Sequence, residues 1–224
     1  MSFKTSEIKL VVNNKKVNTY LASPEKGGPG ILLIHAWWGL KPFFKQLCDR
    51  LAEHGYVAFA PDLRNGEIAK TIDEAKALMQ KSDGAFVGDI VRTAKEYLLA
   101  LPQRRNGKIG AMGFSMGAAW SLEVAANDPD TISCAVLFYG SEPVDFRQVH
   151  AKILGHYAEV DEWEPLDGIK TMEADMQAAG VDATLHIYPK VGHWFVEPDR
   201  PEYDTVAAEL AWSRTFEFLE KNLS

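Results

Sequence analysis

Midway along the chain stands Gly113-Phe114-Ser115-Met116-Gly117, a serine with a glycine two residues to either side. A serine hydroxyl is a weak nucleophile until a neighbouring base takes its proton. The pattern G-x-S-x-G is how a tight strand-to-helix turn presents such a hydroxyl. The context fits that reading. The apolar run Lys108–Met112 leads in, and the helical run Ala118–Asn127 leads out. The glycines leave room where neighbouring chain crosses closely. The start of the following helix favours negative charge, and the N–H of Met116 is placed to donate to an oxyanion. Read without its flanks, the same pentapeptide is a plain loop with Ser115 as a helix cap. Strand before and helix after distinguish the two readings.

A serine of this kind needs a histidine base, and the base needs an acid to hold its tautomer. After such an elbow the expected chain order is acid, then histidine. The sequence has six histidines: His35, His54, His150, His156, His186 and His193. His54 lies late in a helical run beside Gly55, and His150 precedes a strand. His156 and His186 fall inside strands, where packing fixes side chains. His193 follows the last strand in Pro189-Lys190-Val191-Gly192-His193, with Trp194 and Phe195 beside it to screen the imidazole from water. Glu159, Asp161, Glu162 and Glu164 all follow the strand Ala151–Ala158. Asp161 has the best offset, and Glu159 is the second choice because it sits closest to the strand end. After His35, the loop Ala36-Trp37-Trp38-Gly39 is where a second oxyanion donor is expected, the N–H of Trp37. Trp37, Trp38, Phe43, Tyr139 and Trp194 are candidates for the wall of a small aromatic pocket.

These residues need a scaffold that brings them to one edge. Short β-rich runs alternate with helical patterns, which predicts an α/β fold with a largely parallel sheet covered on both faces. The runs Glu7–Val12 and Lys16–Ala22 flank Asn13-Asn14, a hairpin signal. Further strands are expected at Ile31–His35, Val57–Ala60, Lys108–Phe114, Ile132–Tyr139, Ala151–Ala158 and Ala183–Tyr188, about eight in all. Helices are expected from Pro42, over Ile72–Gln80, Val87–Leu101, Met116–Asn127 and Leu166–Ala179, and over a closing Tyr203–Leu219. The length of 224 residues suits one domain, 1–224. The net charge of -7 gives no electrostatic footprint for nucleic acid or an anionic membrane. The basic stretch Arg104-Arg105-Asn106-Gly107-Lys108 is too short to change that and reads as a solvated loop. Cys48 and Cys134 read as reduced core thiols. With no signal-peptide pattern and no apolar run of membrane-spanning length, a cytoplasmic location is the default. No metal is implied, since HxH and HExxH spacings are lacking, and no heptad or apolar stripe specifies an oligomer.

From Ile8 to Leu219 the chain resembles the dienelactone hydrolase family of α/β-hydrolases, as a member with a serine nucleophile. The likeness rests on Ala58-Phe59-Ala60-Pro61-Asp62-Leu63, on Lys108-Ile109-Gly110 leading into Gly113-Phe114-Ser115-Met116-Gly117, and on Phe138-Tyr139-Gly140. It rests also on Asp161-Glu162-Trp163 and on Gly192-His193-Trp194-Phe195. The resemblance implies an α/β-hydrolase fold of about eight strands. It places Ser115, Asp161 and His193 at the triad, Trp37 and Met116 at the oxyanion donors, and Tyr139 near the pocket. It implies no cofactor and a small-molecule ester or lactone as substrate. Three departures stand out. The namesake lactone hydrolases carry a cysteine where Ser115 stands, and a glutamate where Ala36 stands. A glutamate that tunes a thiol has no task beside a hydroxyl. They also carry an arginine for the substrate carboxylate where Glu197 stands, and a carboxylate there would repel an anionic substrate. The expected reaction is hydrolysis of a carboxylic ester or lactone through an acyl-enzyme. A thioesterase or peptidase using the same triad, and a non-catalytic binding protein that kept the fold, are the alternatives.

Overall fold

The computed structural model describes residues 2–105 and 107–223, so Asn106 of the basic stretch lies outside the described residues. The chain forms two compact units, Met1–Ile109 and Gly110–Ser224, and carries an eight-stranded, mostly parallel sheet with helices between its strands.

In the first unit, β1 (Phe3–Val12) and β2 (Lys15–Pro24) make an antiparallel hairpin. Its turn residues Asn13 and Asn14 have φ of 46° and 62°, the doubly left-handed turn whose twist matches paired strands and which asparagine tolerates. The ladder begins at Phe3 rather than Glu7. The outer part of β1 is exposed and polar, so no apolar alternation marks it. β2 pairs antiparallel with β4 (Val57–Pro61), and β4 pairs parallel with β3 (Gly30–Ile34), giving the order β1-β2-β4-β3. β3 and β4 are buried throughout, hence their short, unalternating apolar runs. α1 (Pro42–Glu53) opens on proline and buries Phe44, Leu47, Cys48, Leu51 and Ala52 against β2 and β4. α2 (Ile72–Gln80) is capped by Thr71 and α3 (Gly84–Ala100) by Asp83. α3 starts at Gly84, ahead of the expected Val87, because the Asp83 cap sets its start rather than apolar spacing.

The basic stretch is not simply solvated. The Arg104 guanidinium donates to the carbonyls of Leu99, Arg105 and Gly107 at 2.8–3.1 Å. Leu99 lies in the last turn of α3, where carbonyls lack helical partners, and Arg104 supplies one. His35, just past β3, is fully buried. Its Nε2 accepts from the N–H of Leu63 at 2.9 Å, and its Nδ1 lies 2.6 Å from the carbonyl of Ala36. These partners define a neutral ring protonated on Nδ1. Burial pushes its pKa down to about 4.

In the second unit, β5 (Ile109–Phe114, all but its first residue), β6 (Ile132–Phe138), β7 (Lys152–Ala158) and β8 (Ala183–Tyr188) follow one another in the sheet. β7 is parallel to both β6 and β8. α4 (Met116–Asn127) packs on β6, α5 (Leu166–Ala178) on β8, and α6 (Thr205–Asn222) on β6 and β7. Asp204 caps α6, so Tyr203 lies outside the helix expected to include it. Phe114 stacks on Phe138 with ring centroids 4.6 Å apart, and Trp212 of α6 lies 4.9 Å from Phe138. His156 is buried in β7, with Nδ1 2.8 Å from the Tyr188 hydroxyl and Nε2 3.0 Å from that of Thr215. Burial holds its pKa well below the usual histidine value.

Cys48 and Cys134 are buried free thiols, and burial raises the pKa of both. Among the described residues no helix is long and apolar enough to cross a membrane.

His35 and His156 stay neutral when folded but can take a proton near pH 6.5 once unfolded. The folded chain then binds fewer protons than the unfolded one. Stability is therefore full above about pH 6.5 and declines as pH falls below it, by up to ~1.4 kcal/mol per pH unit for each histidine. Urea midpoints measured from about pH 7 down to about pH 5 are expected to show this decline, with a flatter slope in His156→Gln.

Candidate active site

Ser115 occupies the single residue between β5 and α4. Its φ of 49° and ψ of -117° are sparsely populated for a residue with a Cβ and cost on the order of 1–3 kcal/mol. Its neighbours enforce the conformation. The Ser115 N–H donates to the carbonyl of Phe138 at 2.8 Å, and its own carbonyl accepts from the N–H of Ala118 at 2.8 Å. A Cβ on Gly113 would lie 2.0 Å from the carbonyl oxygen of Gly117, and one on Gly140 would lie 2.3 Å from that of Ser115. Both glycines are therefore required by close backbone contact. The Ser115 side chain makes no cap bond to α4, so the helix-cap reading of this serine does not hold.

The hydroxyl points elsewhere. Ser115 Oγ lies 3.0 Å from His193 Nε2, and His193 Nδ1 lies 2.7 Å from Asp161 Oδ2. The His193 and Asp161 side chains are 4% and 1% exposed, while Ser115 is only half-buried. The imidazole and carboxylate are thus shielded, and the hydroxyl end is open to solvent. The second Asp161 oxygen accepts from the N–H groups of Trp163 and Glu164 at 2.9 and 3.0 Å, which fixes the carboxylate plane. Glu159, the second choice for the acid, is otherwise engaged: its Oε2 accepts from the N–H of Lys190 at 2.8 Å. Met116 is the first residue of α4, so its N–H belongs to the positive end of that helix.

Three further candidates gather around His193. The Trp194 ring meets it edge-on at 5.1 Å, and the Tyr139 ring lies 4.9 Å away. Glu197 is fully buried and accepts from the Tyr139 hydroxyl at 2.8 Å. The sequence reading placed Glu197 as a charge facing substrate. The structure places it inside, with an oxygen engaged by a phenol. Burial, followed by the Glu197 charge, pushes the Tyr139 pKa up, so the phenol keeps its proton and acts as donor. Ala36, Trp37, Trp38 and Phe43 belong to the first unit. Ala36 and Trp38 are buried in the loop after β3. Trp37 and Trp38 meet edge to face at 5.3 Å, and Phe43 sits in the first turn of α1.

Sequence reasoning passed over two partnerships. Ser141 donates from its N–H and its hydroxyl to Glu164, at 3.2 and 2.7 Å, tying the acid loop to the end of β6. Burial raises the Glu164 pKa, although the Ser141 bonds and the His193 charge oppose that rise. The other is the Tyr139–Glu197 bond, which spans 58 residues of sequence and leaves no local pattern. Among the described residues, no three His, Cys, Asp or Glu side chains form a metal-ligand group.

A hydroxyl, imidazole and carboxylate stand at hydrogen-bond distance from one another on a strained elbow, an arrangement with the geometry that nucleophilic acyl transfer requires. The architecture is that of the α/β-hydrolases. It superimposes on a dienelactone hydrolase-like promiscuous phosphotriesterase from metagenomic libraries with a TM-score of 0.89, at 20% identity and covering 100% of both chains. Against a dienelactone hydrolase from Anabaena variabilis the TM-score is 0.73, at 20% identity and 99% coverage of both. At the level of sequence, the dienelactone hydrolase family model matches residues 17–223, and the chain belongs to that family. A relative from Aquifex pyrophilus, protein usf, is 34% identical over 222 residues, covering 95% of this chain and 96% of the relative.

The close contact at Gly113 makes a prediction. Gly113→Ala puts a methyl group into the Gly117 carbonyl and should lower stability by about 1–3 kcal/mol, the usual cost of overpacking. It should also lower the rate of Ser115 labelling by a fluorophosphonate. Urea denaturation and a labelling time course measure the two effects.

Proposed function

We propose that the protein is a serine hydrolase that cleaves a carboxylic ester or lactone through an acyl-enzyme. The observation that carries this reading is the in-line arrangement of Ser115, His193 and Asp161, with Ser115 held in a strained backbone conformation. Ser115 Oγ attacks the carbonyl carbon as its proton passes to His193 Nε2. Asp161 accepts from Nδ1–H throughout and stabilises the imidazolium that forms. The Met116 N–H is the donor that the second unit supplies to the oxyanion. The tetrahedral adduct collapses, the C–O bond to the alcohol breaks, and His193 returns its proton to the departing oxygen. A water molecule then attacks the acyl carbon, gives a proton to Nε2 and releases the acid, and Ser115 regains its hydrogen. For a lactone, alcohol and acid leave as one hydroxy-acid.

Family membership supports hydrolase activity, and the site supports the serine route. Hydrolysis of p-nitrophenyl acetate and butyrate tests the reading. Wild type is expected to turn over at least one of them, and Ser115→Ala to lose on the order of 10⁶-fold in kcat, as loss of a triad nucleophile does. Retention of the rate in Ser115→Ala would overturn the assignment. A parallel panel of thioesters and amides separates the ester reading from thioesterase or peptidase activity. Wild-type protein that fails to react with a fluorophosphonate would indicate a non-catalytic role.

A further inference from the structure

We propose that Tyr139 and Glu197 act as a pair of positioning residues that hold the plane of the His193 imidazole. This inference rests on the serine-hydrolase reading above.

The two hydrogen bonds of His193, to Asp161 at Nδ1 and to Ser115 at Nε2, act at the two ring nitrogens and depend on the plane of the ring. The ring is tethered at Cγ, and small rotations about its Cα–Cβ and Cβ–Cγ bonds still tilt that plane. Turning swings the nitrogen lone pair and the N–H out of line, and proton transfer depends on that alignment. Contacts on the face and edge of the ring must therefore fix the turn. Trp194 supplies the edge contact at 89° between planes, and Tyr139 the tilted face contact at 53°.

Trp194 follows His193 directly and moves with its loop. Tyr139 comes from a different element. It is the residue immediately after β6, fully buried, with a φ of 38° that a bulky side chain rarely adopts. Its N–H donates to the carbonyl of His156 at 2.8 Å. Gly140, the next residue, abuts the Ser115 backbone. One end of Tyr139 is thus built into the elbow. The other end, the hydroxyl, donates to Glu197, four residues past His193 and in the same loop. The phenol spans the distance from the nucleophile's backbone to the base's loop, with the imidazole against its ring. Among the described non-glycine residues of the second unit, left-handed φ occurs at Ser115, Tyr139 and Lys190. One is the candidate nucleophile, one touches the candidate base, and one lies in the turn that leads to it. Strain gathered in this way points to a geometry held for function.

Four variants test the proposal: Tyr139→Phe, Glu197→Leu, Glu197→Gln and the control Tyr188→Phe. Tyr188→Phe removes a comparable buried hydroxyl, the partner of His156, away from the triad. Tyr139→Phe and Glu197→Leu are expected to lower kcat on p-nitrophenyl acetate by roughly 10- to 100-fold, the scale of a small misplacement of a reacting group, with KM changed less than about twofold. Glu197→Gln keeps an acceptor for the phenol and is expected to recover most of that loss. Tyr188→Phe is expected to lower Tm without lowering kcat. A substrate-free readout accompanies these, the low-field proton resonance of the Asp161–His193 bond. It should be sharp in wild type and Tyr188→Phe, and broadened in Tyr139→Phe and Glu197→Leu. Loss of Tm with unchanged kcat and an unchanged resonance in Tyr139→Phe would overturn the proposal, as would an effect confined to KM. Wild type that shows the resonance but neither turns over esters nor labels would overturn the hydrolase reading instead.

Discussion

The backbone at Ser115 is the constraint on which the second unit depends. A residue with a Cβ, held at φ 49° between a strand and a helix, is unfavourable by itself and persists only because its surroundings leave no alternative. The bond to Phe138 sets the chain against β6, and the contacts at Gly113 and Gly140 remove the space into which it would relax. The reward is positional. The hydroxyl leaves the helix it would otherwise cap and meets an imidazole delivered from 78 residues further along.

That imidazole needs support of its own, and the supporting groups form successive layers. Asp161 holds the ring, two backbone N–H groups hold Asp161, and Glu164 is bound by Ser141 at the end of β6. Glu159 steadies the turn at Lys190 on the approach to His193. Glu159, Asp161 and Glu164 of this acidic run therefore each have a separate partner. For Asp161 and Glu164, which are shielded from solvent, the donors offset a cost, because a buried carboxylate without them is unfavourable. The same economy governs the histidines. His35 and His156 are buried, neutral and bonded at both nitrogens, which keeps them as fixed struts, whereas His193 bridges a carboxylate and a half-buried serine hydroxyl.

Much of this was legible in the residue order. The alternation of strands and helices, the glycines around Ser115 and the placing of His193 after the last strand follow from local pattern, and the family resemblance was legible from five short motifs. Element ends were less so. β1 extends into polar sequence where nothing alternates, and α3 and α6 begin at aspartate caps rather than at apolar positions. Arg104 looked like part of a solvated loop because its acceptors are carbonyls, which carry no side-chain signature.

By itself the sequence determined the fold class, the chain order of serine, acid and histidine, and the short list of side chains able to take each part. These are properties of spacing and residue type, which hydrophobic burial and turn chemistry convert into local structure. Only the tertiary structure decided where each polar atom points. It turned Asp161 to the imidazole and Glu159 to a backbone N–H, and it took Glu197 from the pocket wall to a buried bond with Tyr139. The physical reason is that a hydrogen bond is short and directional. Its partners here lie tens of residues apart in sequence, so their meeting is settled by packing and leaves no trace in the spacing.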